Sequence, residues 1–121
     1  MIDHVALYVS DLERSRRFYE QALEPLGYEV VLEMEGFVAF GQEGQPRFAV
    51  RSGKEPSTTA HFAFQVESRA TVDAFHAAAI AGGATDVGSP GVREHYHANY
   101  YAAFVGDPDG NNVEAVCHRP A

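Results

Sequence analysis

The chain is close to a duplicate of itself, and this constrains its fold more than any other feature, because a half-length unit that recurs must fold twice and pack against its copy. Laying His4 on His61 also places Ala6 on Ala63, Val9 on Val66, Phe18 on Phe75 and Ala22 on Ala79. In the first copy His4-Val5-Ala6-Leu7-Tyr8-Val9 alternates as a strand does. Ser10-Asp11-Leu12-Glu13 then has the order of a capping box that opens a helix running to about Leu23. In the second copy His61 to Val66 is the strand, Ser68 to Ala81 an alanine-rich helix, and Gly82-Gly83 its left-handed stop. Three strand-like runs follow each helix: Tyr28 to Met34, Phe37 to Gly41 and Arg47 to Arg51, then Thr85 to Val87, Tyr100 to Val105 and Asn112 to His118. Each half therefore reads βαβββ. The tails realign after a small insertion, with Ala49-Val50 on Ala115-Val116, and Asp107-Pro108-Asp109-Gly110 supplies turn chemistry between the last two strands. The expected class is α+β, a single domain over 1–121 with half-modules at about 1–52 and 60–121 and a polar linker at about 53–59.

Strand alternation assigns faces. Val5, Leu7 and Val9 should meet the first helix, as should Phe62, Phe64 and Val66 the second. That leaves His4, Ala6 and Tyr8, and likewise His61, Ala63 and Gln65, on a concave side. On the last strand Val113, Ala115 and Cys117 form the apolar face, so Glu114 lies opposite with Asn112 and Val116, and Cys117 belongs to the core. Two imidazoles and one carboxylate on inward faces form the two-histidine, one-carboxylate set suited to a divalent first-row metal. A lone histidine of this kind is ordinarily just part of a core; the repeat, which puts two at equivalent points, favours ligation by His4, His61 and Glu114.

Composition narrows the chemistry. Nine basic against seventeen acidic side chains give a net charge of −8, which repels phosphate backbones and anionic membranes, so neither nucleic acid nor membrane is an expected partner. No apolar run approaches the roughly 20 residues that span a bilayer, and the N-terminus lacks a basic leader, so the expected location is cytoplasmic. With Cys117 the only cysteine, a thiolate-rich zinc site is excluded.

Several stretches then match a known pattern. They are the opening His4 strand followed by Asp11-Leu12 and Phe18-Tyr19, His61 opening the second copy, and Asp107-Pro108-Asp109-Gly110 leading into Val113-Glu114. Over almost its whole length the chain resembles the vicinal oxygen chelate superfamily: glyoxalase I, fosfomycin-resistance transferases, extradiol dioxygenases and bleomycin-resistance proteins. The resemblance implies paired βαβββ modules whose mixed sheets curl around a concave cleft, commonly completed by a homodimer. It implies metal ligation by His4, His61 and Glu114, with Zn, Mn, Fe or Ni as the ion. Glyoxalase I-like enzymes carry a further glutamate on the last strand of the first module, and the realigned tails send Glu114 back to Phe48, which cannot ligate. The remaining set looks more like that of the transferases and dioxygenases.

The expected function is that of a metal-dependent enzyme of lyase or isomerase, transferase or dioxygenase type. Its ion would act as a Lewis acid on a small oxygen-chelating substrate. Glu114 and Tyr8 are the candidate catalytic groups, Tyr8 through a hydroxyl that can donate in the cleft. Phe48, Gln65, Arg93, His97, Tyr100 and Tyr101 are candidate substrate contacts, the last four in a polar, aromatic rim. Tyr100 and Tyr101 point to opposite faces if both are in a strand, so one of them lines the cleft. Arg51 stands with Gln65 at the cleft mouth, and His76 is read as merely exposed. The alternative is a module that sequesters a small hydrophobic compound without catalysis, as bleomycin-resistance proteins do.

Overall fold

The computed structural model describes residues 1–121 and contains the two expected modules. In the first, strand β1 (Val5–Tyr8) leads into helix α1 (Leu12–Leu23) and a short 3-10 turn (Glu24–Leu26), then β2 (Glu29–Met34), β3 (Phe37–Gln42) and β4 (Gln45–Arg51). In the second, β5 (His61–Gln65), α2 (Arg69–Ala81), β6 (Thr85–Val92), β7 (Tyr101–Gly106) and β8 (Asn112–Cys117) follow in the same order. The sheets are ordered β1-β4-β3-β2 and β5-β8-β7-β6, with β1 parallel to β4 and β5 parallel to β8. A strand joined to the next by a helix pairs parallel, while the strands that follow pair as antiparallel hairpins.

Three local expectations change. The α1 cap is Asp11 rather than Ser10: its carboxylate accepts from the Arg14 amide at 3.1 Å, an anion at the positive end of a helix. Ser68 caps α2 as expected, through the Thr71 amide. Strand β6 runs to Val92 rather than stopping at Val87, because Gly88-Ser89-Pro90-Gly91 is absorbed by two register shifts on an edge strand, where a proline costs no ladder bond. His76 is half-buried and bonds to Asp86 at 3.1 Å, because β6 returns beside α2.

One core serves both modules. Leu7, Val9, Phe18, Tyr19, Phe40, Phe48 and Val50 join Val66, Val72, Phe75, Val105, Val113 and Cys117 in a single buried cluster. Aromatic rings cross the seam: Phe48 stacks on Phe62 at 5.1 Å and meets Phe64 edge-on, and Phe64 meets Tyr28. A buried polar knot crosses it too. The Tyr19 hydroxyl of α1 donates to Asp107 at 2.5 Å, while Asn111 donates to Asp107 and to the Ser57 carbonyl and accepts from the Ala60 amide. The β7–β8 turn therefore holds the first helix and the linker together, with Gly110 at φ +96° closing it. Each sheet has one face on this core and one facing away.

Candidate metal centre on the open sheet faces

The open face of the second sheet carries a compact polar group. Glu114 is 2% exposed, and its two oxygens are separately engaged: Oε1 lies 3.2 Å from Nε2 of His61, and Oε2 accepts from the Tyr100 hydroxyl. His61 is held by its other nitrogen, since Nδ1 donates to the Asn112 carbonyl at 3.1 Å, with Phe104 packed beside the ring. With the proton on Nδ1, the Nε2 lone pair faces a carboxylate lone pair. Such a contact needs a shared proton or a metal cation between the two atoms, and a histidine fixed through Nδ1 is held in the way that metal-bound histidines are held from behind. The chemistry of these donors, nitrogen and oxygen with no thiolate, fits a divalent ion. Burial, the Glu114 hydrogen bond and the Glu114 charge push the Tyr100 hydroxyl well above the usual tyrosine range, so it remains a donor to the carboxylate.

His4 occupies the equivalent place on the first sheet. Its Nδ1 bonds to Asp3 at 2.8 Å, and Asp3 is also met by Arg47, which leaves the His4 Nε2 free. Within one chain, however, no three of the histidine, aspartate, glutamate and cysteine side chains gather around a point. The chain unites His61 with Glu114 and leaves His4 on the other sheet.

The pairing register corrects one sequence-based correspondence. Ala6 pairs with Ala49, and its repeat partner Ala63 pairs with Glu114. The counterpart of Glu114 is therefore Ala49, and Phe48 is the counterpart of Val113. Phe48 is 1% exposed and its ring belongs to the core. The first module still has no fourth carboxylate, but alanine takes its place.

The rim residues separate. Tyr100 faces the open side, whereas Tyr101 turns to α2, where its hydroxyl donates to Asp73 at 2.6 Å and its ring lies under Arg69. Arg93 is spent on local structure: it donates to the Gly91 and Ser89 carbonyls and covers Phe104. His97 accepts from the Asn99 amide through Nδ1 and donates through Nε2 to His118 at 2.9 Å, and Tyr100 packs edge-on against both rings. His118 was invisible to sequence reasoning, since nothing local marks it and only the fold returns it to the rim. Gln65 is exposed and borders a seam with Tyr28 and Gln42. Tyr8 lies on the open face with its ring flanked by Arg51 and Lys54.

Two βαβββ modules with one metal-type pair on an open sheet face define a class, and comparison places the chain in it. Residues 1–115 match the Glyoxalase/Bleomycin resistance protein/Dioxygenase superfamily, and the chain belongs to that superfamily. It is 31% identical to the uncharacterized protein YqjT of Bacillus subtilis (strain 168), over 93% of this chain and 95% of that one. A glyoxalase/bleomycin resistance protein from Albidiferax ferrireducens T118 superposes with a TM-score of 0.83 at 32% identity, covering 98% of both chains. A glyoxalase-related enzyme from Fulvimarina pelagi shares the fold, with a TM-score of 0.74 at 20% identity over 97% of this chain and 87% of that one. No helix is long and apolar enough to cross a membrane.

Proposed function

We propose that the protein is a divalent-metal-dependent enzyme acting on a small oxygen-chelating substrate, and that it works as a cytoplasmic homodimer. His61 and Glu114 of one chain would hold the ion, completed by His4 of a second. The observation that carries this reading is the facing of His61 Nε2 and Glu114 Oε1 at 3.2 Å, with His61 Nδ1 already committed to a carbonyl. When bound, the ion supplies Lewis acidity toward vicinal substrate oxygens.

The chain's own groups do the rest. Tyr100 fixes Glu114 by occupying Oε2, which leaves Oε1 as the ligating oxygen. Asp3 and the Asn112 carbonyl set the two histidines in the tautomer whose Nε2 can ligate. Glu114 would also be the candidate base, and Tyr8 is the proposed hydroxyl donor to substrate. Assembly follows from the open faces. Each sheet covers only one side with helix, and a second copy laid across brings a first sheet opposite a second sheet. The separation of His4 from the other two ligands within one chain is the observation that favours the alternative, a non-catalytic binding module.

Titration of Mn²⁺, Fe²⁺, Ni²⁺ or Zn²⁺ into chelator-stripped protein separates the two. Wild type should bind one ion per site with affinity falling as pH drops, because ligation needs neutral imidazole. Glu114→Gln, nearly isosteric, should weaken binding sharply while the fold survives. Equal binding by both proteins, or none by either, would overturn the enzyme reading.

A further inference from the structure

The first sheet carries a hollow of about 360 Å³ on its open face. Its floor is made by Ala6, Ala39 and Ala49, which lie side by side on β1, β3 and β4, and Phe37 and Leu32 border it. The repeat shows that this hollow is specific to the first module. By register, the places of Ala39 and Ala49 are taken in the second sheet by Phe104 and Glu114, and there the space is filled. The two ends of the hollow differ in charge. At one end are Asp3 and His4, bonded to each other, with Asp3 also bonded to Arg47. At the other is Arg51, in the register place that Val116 takes in the second sheet.

Arg51 has no carboxylate partner, as is also true of Arg14, Arg69 and Arg93, while the arginines at 16, 17, 47 and 119 each have one; of the unpaired four, Arg51 is the one that borders the hollow. It is held instead by aromatic faces, 5.0 Å over Tyr8 and 5.8 Å over Phe37, and Lys54 adds a second cation 5.9 Å from the same Tyr8 ring. Stacking orients a guanidinium while leaving its fork of N–H donors free, which suits bidentate capture of a carboxylate. In a protein of net charge −8, an unpaired cation at the end of a flat apolar hollow selects against the protein's own surface and for an anionic ligand.

We infer that this hollow binds a small planar apolar molecule bearing a carboxylate, with its ring on the alanine floor and its carboxylate on Arg51, supported by Lys54. As a statement about the substrate this rests on the metal reading above. As a binding site it needs only the side chains named here.

The test uses metal-free protein and a matched pair of probes, 2-naphthoate and the neutral 2-naphthamide, followed by calorimetry. Naphthoate should bind about tenfold or more tightly than naphthamide at low ionic strength, with the gap narrowing as salt screens the charge. Arg51→Gln should bring naphthoate down to the naphthamide level and leave naphthamide unchanged. Ala6→Leu, at an exposed floor position, should weaken both. Equal affinity for the two probes, a preference that survives Arg51→Gln, or no binding of either would overturn the inference; the last is expected if a second copy's side chain fills the hollow. Because the ion is absent from this experiment, naphthoate binding together with a failed metal titration would sink the enzyme reading and leave this site standing.

Discussion

The two modules share a core and differ on their open faces. Core positions correspond closely: Phe18 and Phe75, Val9 and Val66, Phe48 and Val113 all lie in one buried cluster. On the open side the same register pairs unlike residues. Ala49 stands for Glu114, Ala39 for Phe104 and Arg51 for Val116. The two histidines and the alanines two residues on, Ala6 and Ala63, are kept. A duplicated core is constrained by packing in both copies, whereas an open face is free to specialise, so the second module has become the anionic, filled half and the first the hollow half with a cation at its rim.

The largest effect should come from testing that register directly. Phe48→Glu places a charge in a core position that is 1% exposed and removes a ring stacked on Phe62, so it should cost at least about 4 kcal/mol or abolish folding. Ala49→Glu, one residue on, extends into the hollow and should cost no more than about 1–2 kcal/mol while adding the missing carboxylate to the first sheet. Urea denaturation ranks the pair. If Phe48→Glu were the milder change, the correspondence of Ala49 with Glu114 would be wrong.

The hairpin turns differ in the same sense. The β3–β4 turn is a tight pair, Glu43-Gly44 at φ 51° and 76°, and both residues are exposed. The β7–β8 turn carries Asp107 and Asn111, the latter fully buried and bonded to the linker on both sides. Asn111→Ala leaves several buried partners unmet and should cost about 2–4 kcal/mol, whereas Gln42→Ala, which loses one exposed bond to the Leu26 carbonyl, should cost about 1 kcal/mol or less. Similar losses from both would mean that the longer turn is not what joins the modules.

Much of this was legible in the chain, and what was not has a physical reason. The repeat, the βαβββ order and the pairing of His61 with Glu114 follow from strand alternation, which burial enforces. The one-residue slip arose because Ala49-Val50 and Ala115-Val116 are identical pairs on opposite faces: Val50 is in the core and Val116 on the open side. In a strand a slip of one reverses every face, and an alanine-rich segment supplies little bulk to detect it. Strand β6 continues past Val87 because Gly88, Pro90 and Gly91 lie on an edge strand, where an interrupted ladder is tolerated, and edge position is a property of the sheet order that the local sequence does not carry. The choice between Tyr100 and Tyr101 depended on where the strand begins, and the structure begins it at Tyr101.

A smaller effect should separate the two halves of the proposed metal pair. Tyr100→Phe removes the hydroxyl that occupies Oε2 of Glu114 and leaves the ring packed against His97 and His118. Metal affinity should fall about 10–100-fold, the usual consequence of losing a partner behind a ligand, with stability changing by about 1 kcal/mol or less. Unchanged affinity would show that Glu114 needs no support. Asp3→Asn, which weakens the hold on His4, tests the same idea on the other sheet.

The last comparison, read out in the pH dependence of stability, concerns Tyr19 and its repeat counterpart His76. Both follow a core phenylalanine on the helix, yet Tyr19 reaches across to Asp107 of the other module and His76 only to Asp86 of its own. Burial first, then the charge of Asp107 and the hydrogen bond to it, raise the Tyr19 hydroxyl well above the ordinary tyrosine value. A group whose folded value lies above its unfolded one stabilises the fold in full below the unfolded value, about 10 for tyrosine, and that contribution is lost as pH rises above it toward the folded value. Stability should therefore fall above about pH 10 with a slope of up to about 1.4 kcal/mol per pH unit from this group. In Tyr19→Phe that part of the slope should vanish, even though the variant starts lower by the lost hydrogen bond, about 1–3 kcal/mol. Denaturant midpoints for both proteins from pH 8 to 11 give the two slopes. If they run parallel, Tyr19 ionises as easily folded as unfolded and is not the sealed bridge between modules described here.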